Sequence, residues 1–184
     1  MSTDPREVLL EELQQHALLR GDFVLASGRT STYLVDAKRA IMRRRGFEAL
    51  GQLVAAEAER LGATAVGGMT MGADPIACAA LAGGADVKAF FVRKEPKDHG
   101  AGRQIEGPEL QPGERCLMVE DVVTTGGSTI KAIDVVRAAG HEVIGVIGVC
   151  DRLAGGGQAL ADHAGAPFVA LTTIDEVHPD RDDR

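Results

Sequence analysis

Aromatic side chains are scarce in this sequence, which has no tryptophan, one tyrosine and five phenylalanines among 184 residues. It therefore offers few surfaces on which nucleic-acid bases could stack. The formal net charge at pH 7 is −7, and a negatively charged protein is repelled by the phosphate backbone of nucleic acids. We therefore expect no nucleic-acid partner.

Long apolar runs and a basic, apolar amino terminus are also missing, so the sequence predicts neither a membrane span nor a secretory signal. The three cysteines, Cys78, Cys116 and Cys150, lie far apart and form no Cys-x-x-Cys pair. Such cysteines are typical of core thiols in a reducing compartment. These absences favour a cytoplasmic protein with no membrane partner.

Apolar strands and helices alternate through most of the chain, which at 184 residues is of a length for a single domain. Strands this apolar are typical of an α/β fold whose central sheet is mostly parallel and is flanked by helices. In such a sheet, ligands bind beyond the carboxyl ends of the strands. The polar segments that follow the strands should therefore meet at one edge. The predicted strands are 64–68, 87–92, 115–121 and 142–151.

Capping and turn residues predict further boundaries. Asp4 and Pro5 should begin a helix that ends near Gly21, and residues 22–37 should form a hairpin. A second helix should end at Gly62, and Asp74 should cap a third.

The segment "VEDVVTTGGSTIKA" at residues 119–132 combines two acids with a turn rich in glycine and hydroxyl groups. Gly126 and Gly127 allow the backbone to approach a ligand, and the following helix presents free N–H groups to an anion. Hydroxyls of threonine and serine add further donors, so the turn is suited to phosphate. Glu120 and Asp121 would repel phosphate, but carboxylates accept hydrogen bonds from the vicinal hydroxyls of ribose. The segment therefore predicts a site for a phosphorylated ribose.

This segment resembles the signature of type I phosphoribosyltransferases. The resemblance implies that phosphoribosyl pyrophosphate is bound by Glu120, Asp121, Val122, Val123, Thr124, Thr125, Gly126, Gly127 and Ser128. It also implies that Asp121 is catalytic. The implied fold has a core at roughly 45–151 and a small hood made by roughly 1–40 and 152–180.

A cluster of cations follows the second predicted strand, in "VRKEPKDHGAGRQIEG". Its spacing is similar to that of the catalytic loop of the orotate phosphoribosyltransferase family. In that family the loop, here 93–107, completes the site of the neighbouring subunit of a homodimer. The resemblance makes Lys97 catalytic and places Arg93, Lys94, Lys97 and His99 on the pyrophosphate.

Further segments resemble the same family. "SGRTSTYLVD" is similar to the stretch that lines the orotate side, and "VCDRLAGG" to the segment whose arginine, Arg152, meets the orotate carboxylate. Thr124 matches a turn position that contacts orotate. Two basic residues common in the family are replaced, one by Ala26 and one within Thr70-Met71-Gly72.

The chemistry implied by the resemblance is transfer of ribose 5-phosphate from phosphoribosyl pyrophosphate to orotate in pyrimidine biosynthesis. Mg²⁺ is the implied cofactor, held mainly through the substrate and without a direct protein ligand. Two alternatives stay open. One is a phosphoribosyltransferase for a purine or uracil, and the other is a regulator that binds the same metabolite without catalysis.

Overall fold

The computed structural model describes residues 3–24, 30–96 and 104–181. Within these ranges the strands form a two-stranded antiparallel sheet and a larger sheet with the order β5-β4-β3-β6-β7-β8. The larger sheet is parallel except for β5, which is antiparallel to β4. The strands are β1 (Leu18–Val24), β2 (Thr30–Val35), β3 (Ala65–Met69), β4 (Lys88–Val92), β5 (Ile105–Glu106), β6 (Arg115–Val123), β7 (Glu142–Asp151) and β8 (Phe168–Thr173).

Helices connect and cover the parallel strands, as the alternating pattern predicts. They are α1 (Pro5–His16), α2 (Lys38–Ile41), α3 (Arg44–Leu61), α4 (Asp74–Ala82), α5 (Gly127–Ala138), α6 (Gly156–Ala164) and α7 (Ile174–Val177). None of the described helices is both long and apolar enough to cross a membrane.

The longest of these helices, α3, shows how local sequence determines an element. Leu50, Val54 and Ala58 recur at helical spacing and are buried. Gly62 ends the helix in the left-handed conformation, with φ 66°, which an L-residue adopts at a higher energy. The prediction that this helix ends at Gly62 is confirmed.

The N-terminal elements form a separate layer on the core. Asp4 caps α1 by accepting the N–H of Arg6 at 3.0 Å. β1 pairs only with β2 among the described strands. The C-terminal helix α7 joins this layer, since Gln14 donates to the Glu176 carbonyl at 2.8 Å. We call α1, α2, β1, β2 and α7 the hood.

Several boundaries differ from the sequence prediction. Helix α1 ends at His16 rather than near Gly21, because the residues after it pair with β2. Asp74 does not cap α4. It lies in the first turn and accepts the Thr70 hydroxyl at 2.7 Å. The larger sheet continues past residue 151 into β8, a strand within the segment 152–180 that was expected in the hood.

Strand β6 continues through the two acids to Val123, whereas the sequence suggested that it ends at Asp121. Val122 and Val123 pair with Cys150 and Asp151 of β7, and this pairing keeps the backbone extended. The glycine turn therefore begins only after the sheet ends. The acids lie in the last part of a strand, where the backbone is held by pairing.

Helices α3 and α4 touch backbone to backbone through glycine. A Cβ atom at Gly51 would stand 2.4 Å from the Ala79 carbonyl oxygen, and one at Gly83 would stand 2.2 Å from the Gly51 carbonyl oxygen. Neither distance allows a side chain without a shift of a helix.

This contact predicts that Gly51→Ala lowers the free energy of unfolding by about 1–3 kcal/mol, because one helix must move. Gln52→Ala, at an exposed neighbouring position, is the control and should change it by less than about 0.5 kcal/mol. Urea unfolding followed by circular dichroism measures both. A gain of about 1 kcal/mol in Gly51→Ala, the value for helix propensity alone, would contradict the close contact.

Candidate active site

The carboxyl ends of β3, β4, β6 and β7 lie at one edge of the sheet, because these strands are parallel. The segments 70–73, 93–96, 124–126 and 152–155 follow them directly. This is the arrangement that the sequence predicts for ligand-binding segments.

Glu120 is buried, with 6% of its surface exposed. Its Oε2 accepts the hydroxyls of Ser128 and Thr129, both at 2.7 Å. These bonds join the end of β6 to the first turn of α5. Ser128, which was expected to bind phosphate, thus donates to Glu120.

Burial raises the pKa of Glu120, and the nearby charge of Asp121 raises it further, although the hydrogen bonds from Thr129 and Ser128 act in the opposite direction. Ionised carboxylate in this position is stabilised mainly by the two hydroxyls. Glu120 therefore acts in the structure as an anchor for the turn as well as a member of the acidic pair.

A small cavity of about 160 Å³ lies at the glycine turn. Gly126 adopts φ 77°, and α5 begins at the next residue. Because the first N–H groups of a helix have no partners within it, the cavity is suited to an anion. Its lining comprises Glu120, Val122, Val123, Thr124, Thr125, Gly126, Gly127 and Ser128. Apart from Asp121, these are the residues of the signature segment that were predicted to bind phosphoribosyl pyrophosphate.

Asp121 lies beside the cavity and is held at both oxygens. Its Oδ1 accepts the N–H of Val122 at 3.0 Å, and its Oδ2 accepts a hydrogen bond from the Lys38 ammonium group at 3.0 Å. Sequence reasoning did not identify Lys38, because it lies 83 positions away and no spacing pattern connects it to the acids.

Gly72 brings the segment after β3 against the two acids. A Cβ atom at this position would stand 2.5 Å from Asp121 Oδ1 and 3.0 Å from Glu120 Oε1. A side chain would thus fill the space in front of the two carboxylates. The peptide bond between Thr70 and Met71, just before it, is cis.

Arg93 and Lys94 lie next to the same segment. Together with Thr70 and Met71 they line a second cavity of about 530 Å³. Arg93 forms an ion pair with Glu106 at 3.6 Å. Lys97, His99 and Ala26 lie outside the described residues.

The two described ends of the loop 93–107 lie side by side. The N–H of Arg93 donates to the Gln104 carbonyl at 2.8 Å, and the Gln104 amide donates to the Arg93 carbonyl at 3.2 Å. Strand β5 also pairs with β4 here. The loop thus begins and ends at the edge of the sheet that carries the acids.

Arg152 is joined both to the core and to the hood. Its N–H donates to the Val123 carbonyl at 2.8 Å, and its guanidinium group donates to the Tyr33 hydroxyl at 3.0 Å. The guanidinium carbon lies 4.8 Å from the Tyr33 ring centre. The Tyr33 and His178 rings in turn lie nearly perpendicular to each other, with their centres 4.9 Å apart. The structure therefore places Arg152 next to the turn, as the sequence predicted.

A metal ion would find only a partial shell here. Within the described ranges, no group of three or more His, Cys, Asp or Glu side chains is placed to hold a metal. Glu120 Oε1 and Asp121 Oδ1 face the same space at Gly72, and carboxylate oxygens suit Mg²⁺. This donor set fits an ion that takes its remaining ligands from phosphate and water.

Comparison with known proteins identifies relatives of this site. Residues 61–165 match the family model of the phosphoribosyl transferase domain. The chain is similar to the orotate phosphoribosyltransferase of Rhodopirellula baltica, with 46% identity over 176 residues and 90% of each chain covered. It is also similar to that of Streptomyces coelicolor, with 41% identity over 95% of this chain and 98% of the relative.

Solved structures of orotate phosphoribosyltransferases are also similar to this chain. The chain is similar to Mycobacterium tuberculosis orotate phosphoribosyltransferase in complex with Fe(III) dicitrate, with a TM-score of 0.84, 36% identity and coverage of 95% of this chain and 99% of that one. For the same enzyme in complex with 5-phospho-alpha-D-ribosyl 1-diphosphate, the TM-score is 0.80 at 34% identity, with coverage of 95% and 98%.

The raised pKa of Glu120 predicts a pH dependence of stability. Above pH 4.5, the ordinary value, the folded protein holds this proton more tightly than the unfolded chain does. The Glu120 contribution to the free energy of unfolding therefore falls as the pH rises through the folded pKa. Glu120→Gln should remove this decrease, which urea unfolding at several pH values would measure.

Glu114→Gln is the control, since hydrogen bonds from Lys88 and Thr64 lower the pKa of Glu114 to about 2. The stabilisation from Glu114 is present above pH 4.5 and is lost as the pH falls toward 2. The difference in unfolding free energy between Glu114→Gln and the parent should therefore change with pH in the direction opposite to that of Glu120→Gln. If Glu120→Gln kept the parent's slope above pH 4.5, the burial of an ionisable Glu120 would be wrong.

Proposed function

The chain belongs to the orotate phosphoribosyltransferase family, and we propose that it transfers ribose 5-phosphate from phosphoribosyl pyrophosphate to orotate with the help of Mg²⁺. The products are orotidine 5′-monophosphate and pyrophosphate, in the biosynthesis of pyrimidine nucleotides. The bond from ribose C1 to the pyrophosphate oxygen breaks, with its electron pair leaving on the pyrophosphate, and a bond from C1 to the orotate nitrogen forms. The proton of that nitrogen passes to the released pyrophosphate or to water.

The observation that carries this proposal is the acidic pair beside the glycine turn. Glu120 and Asp121 lie at the end of β6, and the cavity at the turn lies directly after them. One ligand with a phosphate at one end and ribose hydroxyls at the other fits both halves. A relative in the same family has been solved with 5-phospho-alpha-D-ribosyl 1-diphosphate.

The turn would hold the 5′-phosphate. Its exposed threonines Thr124 and Thr125 can donate hydroxyl groups, and the amino terminus of α5 supplies N–H groups and the positive end of the helix dipole. The hydrogen bonds from Ser128 and Thr129 to Glu120 keep this turn in place before the substrate arrives. Preorganised donors of this kind do not need to rearrange during the reaction.

Asp121 and Glu120 would accept hydrogen bonds from the ribose hydroxyls. As the C1–O bond breaks, positive charge develops on the sugar. A fixed carboxylate near that charge stabilises the transition state more than the ground state. Glu120 Oε1 and Asp121 Oδ1, which face the space at Gly72, would be the acceptors, because Glu120 Oε2 already accepts two hydroxyls and Asp121 Oδ2 already accepts Lys38.

Mg²⁺ would be held mainly through the substrate and would offset charge on the pyrophosphate. The protein groups nearest to it would be Glu120 and Asp121, whose oxygens facing Gly72 form only part of a shell, so its ligands would come mainly from substrate and water. Arg93, Lys94, Lys97 and His99 would bind the leaving pyrophosphate. The cavity that Arg93 and Lys94 line also includes Met71, at a position where many members of the family carry a cation.

Arg152 would orient orotate by its carboxylate. A guanidinium group binds a carboxylate through two parallel hydrogen bonds, and the contacts with Tyr33 fix the side chain beside the turn. Thr124, on the neighbouring turn, is the second expected orotate contact. Orotate is an anion at neutral pH through its carboxylate, which gives the guanidinium group a partner of opposite charge.

We further propose a homodimer in which the loop 93–107 completes the site of the neighbouring subunit. The exposed side chains of Arg93 and Lys94 at its described start support this arrangement. Closure of such a loop would exclude water from the developing cation.

The proposed reaction predicts that the protein consumes orotate when phosphoribosyl pyrophosphate and Mg²⁺ are present, which the fall in orotate absorbance measures. Asp121→Asn should lower kcat by about 100-fold or more, since the stabilising charge is lost. Asp134→Asn, which changes an exposed carboxylate on α5, is the control and should keep the parent activity. Uracil and purine bases are tested in parallel.

Consumption of a different base with no consumption of orotate would contradict the proposed substrate. Binding of phosphoribosyl pyrophosphate with no consumption of any base would instead indicate a regulator.

A shared site predicts complementation between two inactive variants. When Lys97→Ala and Asp121→Asn subunits are unfolded and refolded together in equal amounts, about a quarter of the sites should contain neither change. Activity should therefore return to about a quarter of the parent value. Each variant refolded alone is the control, and no recovery above these controls would show that each site uses its own loop.

A further inference from the structure

Lys38 connects the hood to the acidic pair. It is the first residue of α2, and its ammonium group lies 3.0 Å from Asp121 Oδ2 and 2.9 Å from Asp36 Oδ1. Asp36 belongs to the segment between β2 and α2, whereas Asp121 belongs to the core strand β6. One side chain thus bridges two carboxylates that lie 85 positions apart.

The surroundings of Lys38 keep it charged. Burial lowers the pKa of Lys38, but the hydrogen bonds and charges of Asp36 and Asp121 outweigh burial and raise it above the ordinary value of 10.5. With Glu120 adjacent to Asp121, the group contains three carboxylates and one ammonium. Lys38 therefore offsets the repulsion between acids on this side of the site.

The hydrogen bond from Lys38 also determines how Asp121 is presented. Lys38 binds Oδ2, so that Oδ1 is the oxygen that accepts the N–H of Val122 and faces Gly72. The Asp121 side chain is only 13% exposed. Water therefore has little access to replace Lys38 as its hydrogen-bond partner. Without Lys38, nothing described in the structure would keep Oδ2 turned toward the hood.

We propose that Lys38 is a positioning residue for the transfer, which holds Asp121 in the orientation that accepts the ribose hydroxyls of phosphoribosyl pyrophosphate. This inference rests on the proposed function, and it adds a residue of the hood to the ribose side of the site. Binding of the ribose would then depend on where the hood places its cation, because the orientation of Asp121 follows Lys38.

A purely structural role is the alternative, since Lys38 also ties the hood to the core. Arg45 provides a matched comparison. It lies on α3 and binds two carboxylates of the hood helix α1, Glu11 at 2.5 Å and Glu12 at 3.3 Å. Its side chain is similarly half-buried, but it touches neither Glu120 nor Asp121 among the described contacts.

The test compares Lys38→Met, Lys38→Arg and Arg45→Met in the full chain, with KM measured separately for phosphoribosyl pyrophosphate and for orotate. Lys38→Met should raise KM for phosphoribosyl pyrophosphate at least about tenfold, because a misdirected carboxylate loses the ribose hydroxyls. KM for orotate should stay within about twofold, since orotate is bound elsewhere in the site. Calorimetric titration with phosphoribosyl pyrophosphate and Mg²⁺ gives the same comparison without turnover.

Lys38→Arg keeps the charge and the donors, so its KM for phosphoribosyl pyrophosphate should lie within about threefold of the parent. Arg45→Met should leave both KM values unchanged even where the melting temperature falls. Equal losses in Lys38→Met and Lys38→Arg would contradict a role of the ammonium charge. Parallel increases of both KM values in Lys38→Met and Arg45→Met would show that Lys38 is only a tether.

A parent protein that neither binds phosphoribosyl pyrophosphate nor consumes orotate would overturn the proposed function itself. A fully active parent together with an unchanged Lys38→Met variant would overturn only the role of Lys38.

Discussion

The buried carboxylate of Glu120 holds the end of β6 against the first turn of α5, and the rest of the site depends on this contact. Its Oε2 accepts two hydroxyl groups at 2.7 Å, from Ser128 and Thr129. Burial makes ionisation of Glu120 unfavourable, so the two hydroxyls are required partners rather than optional ones. Because the turn is held in this way, the cavity at Gly126 has a fixed shape before any ligand enters, and Asp121 lies beside it at a fixed point of a paired strand.

The site combines a rigid half and a hood half. The core supplies the ends of parallel strands, and their pairing fixes Asp121 and the backbone of Arg152 relative to each other. The hood supplies Tyr33, which holds the Arg152 guanidinium group, and Lys38, which holds Asp121. In the proposed reaction, ribose chemistry and base recognition would therefore both depend on the contact between hood and core. The core thus provides a preorganised backbone, and the hood determines the orientation of two charged side chains of the core, Asp121 and Arg152.

Much of the fold could be predicted from the sequence, because apolar runs, caps and glycine positions act over a few residues. Gly62 ends α3, and the turn of Gly126 and Gly127 begins α5, both through local backbone conformation. The errors arose where tertiary pairing overrides local preference. Strand β6 passes through two acids because β7 pairs with it as far as Val123. Asp74 does not cap α4, because the helix already includes it and Ala73 occupies the N-cap position.

The residues that line the cavity at the glycine turn could be identified from the sequence alone, since residues 120 and 122–128 belong to one continuous segment in which two acids precede a turn. Arg93 and Arg152 could be assigned to the same edge because each directly follows a parallel strand. Only the tertiary structure decided what each acid contacts. Ser128 bonds to Glu120, and Lys38 reaches Asp121 across 83 positions. Contacts between distant segments depend on how helices and sheets pack in three dimensions. The spacing of residues within one segment does not show which distant residue will contact it.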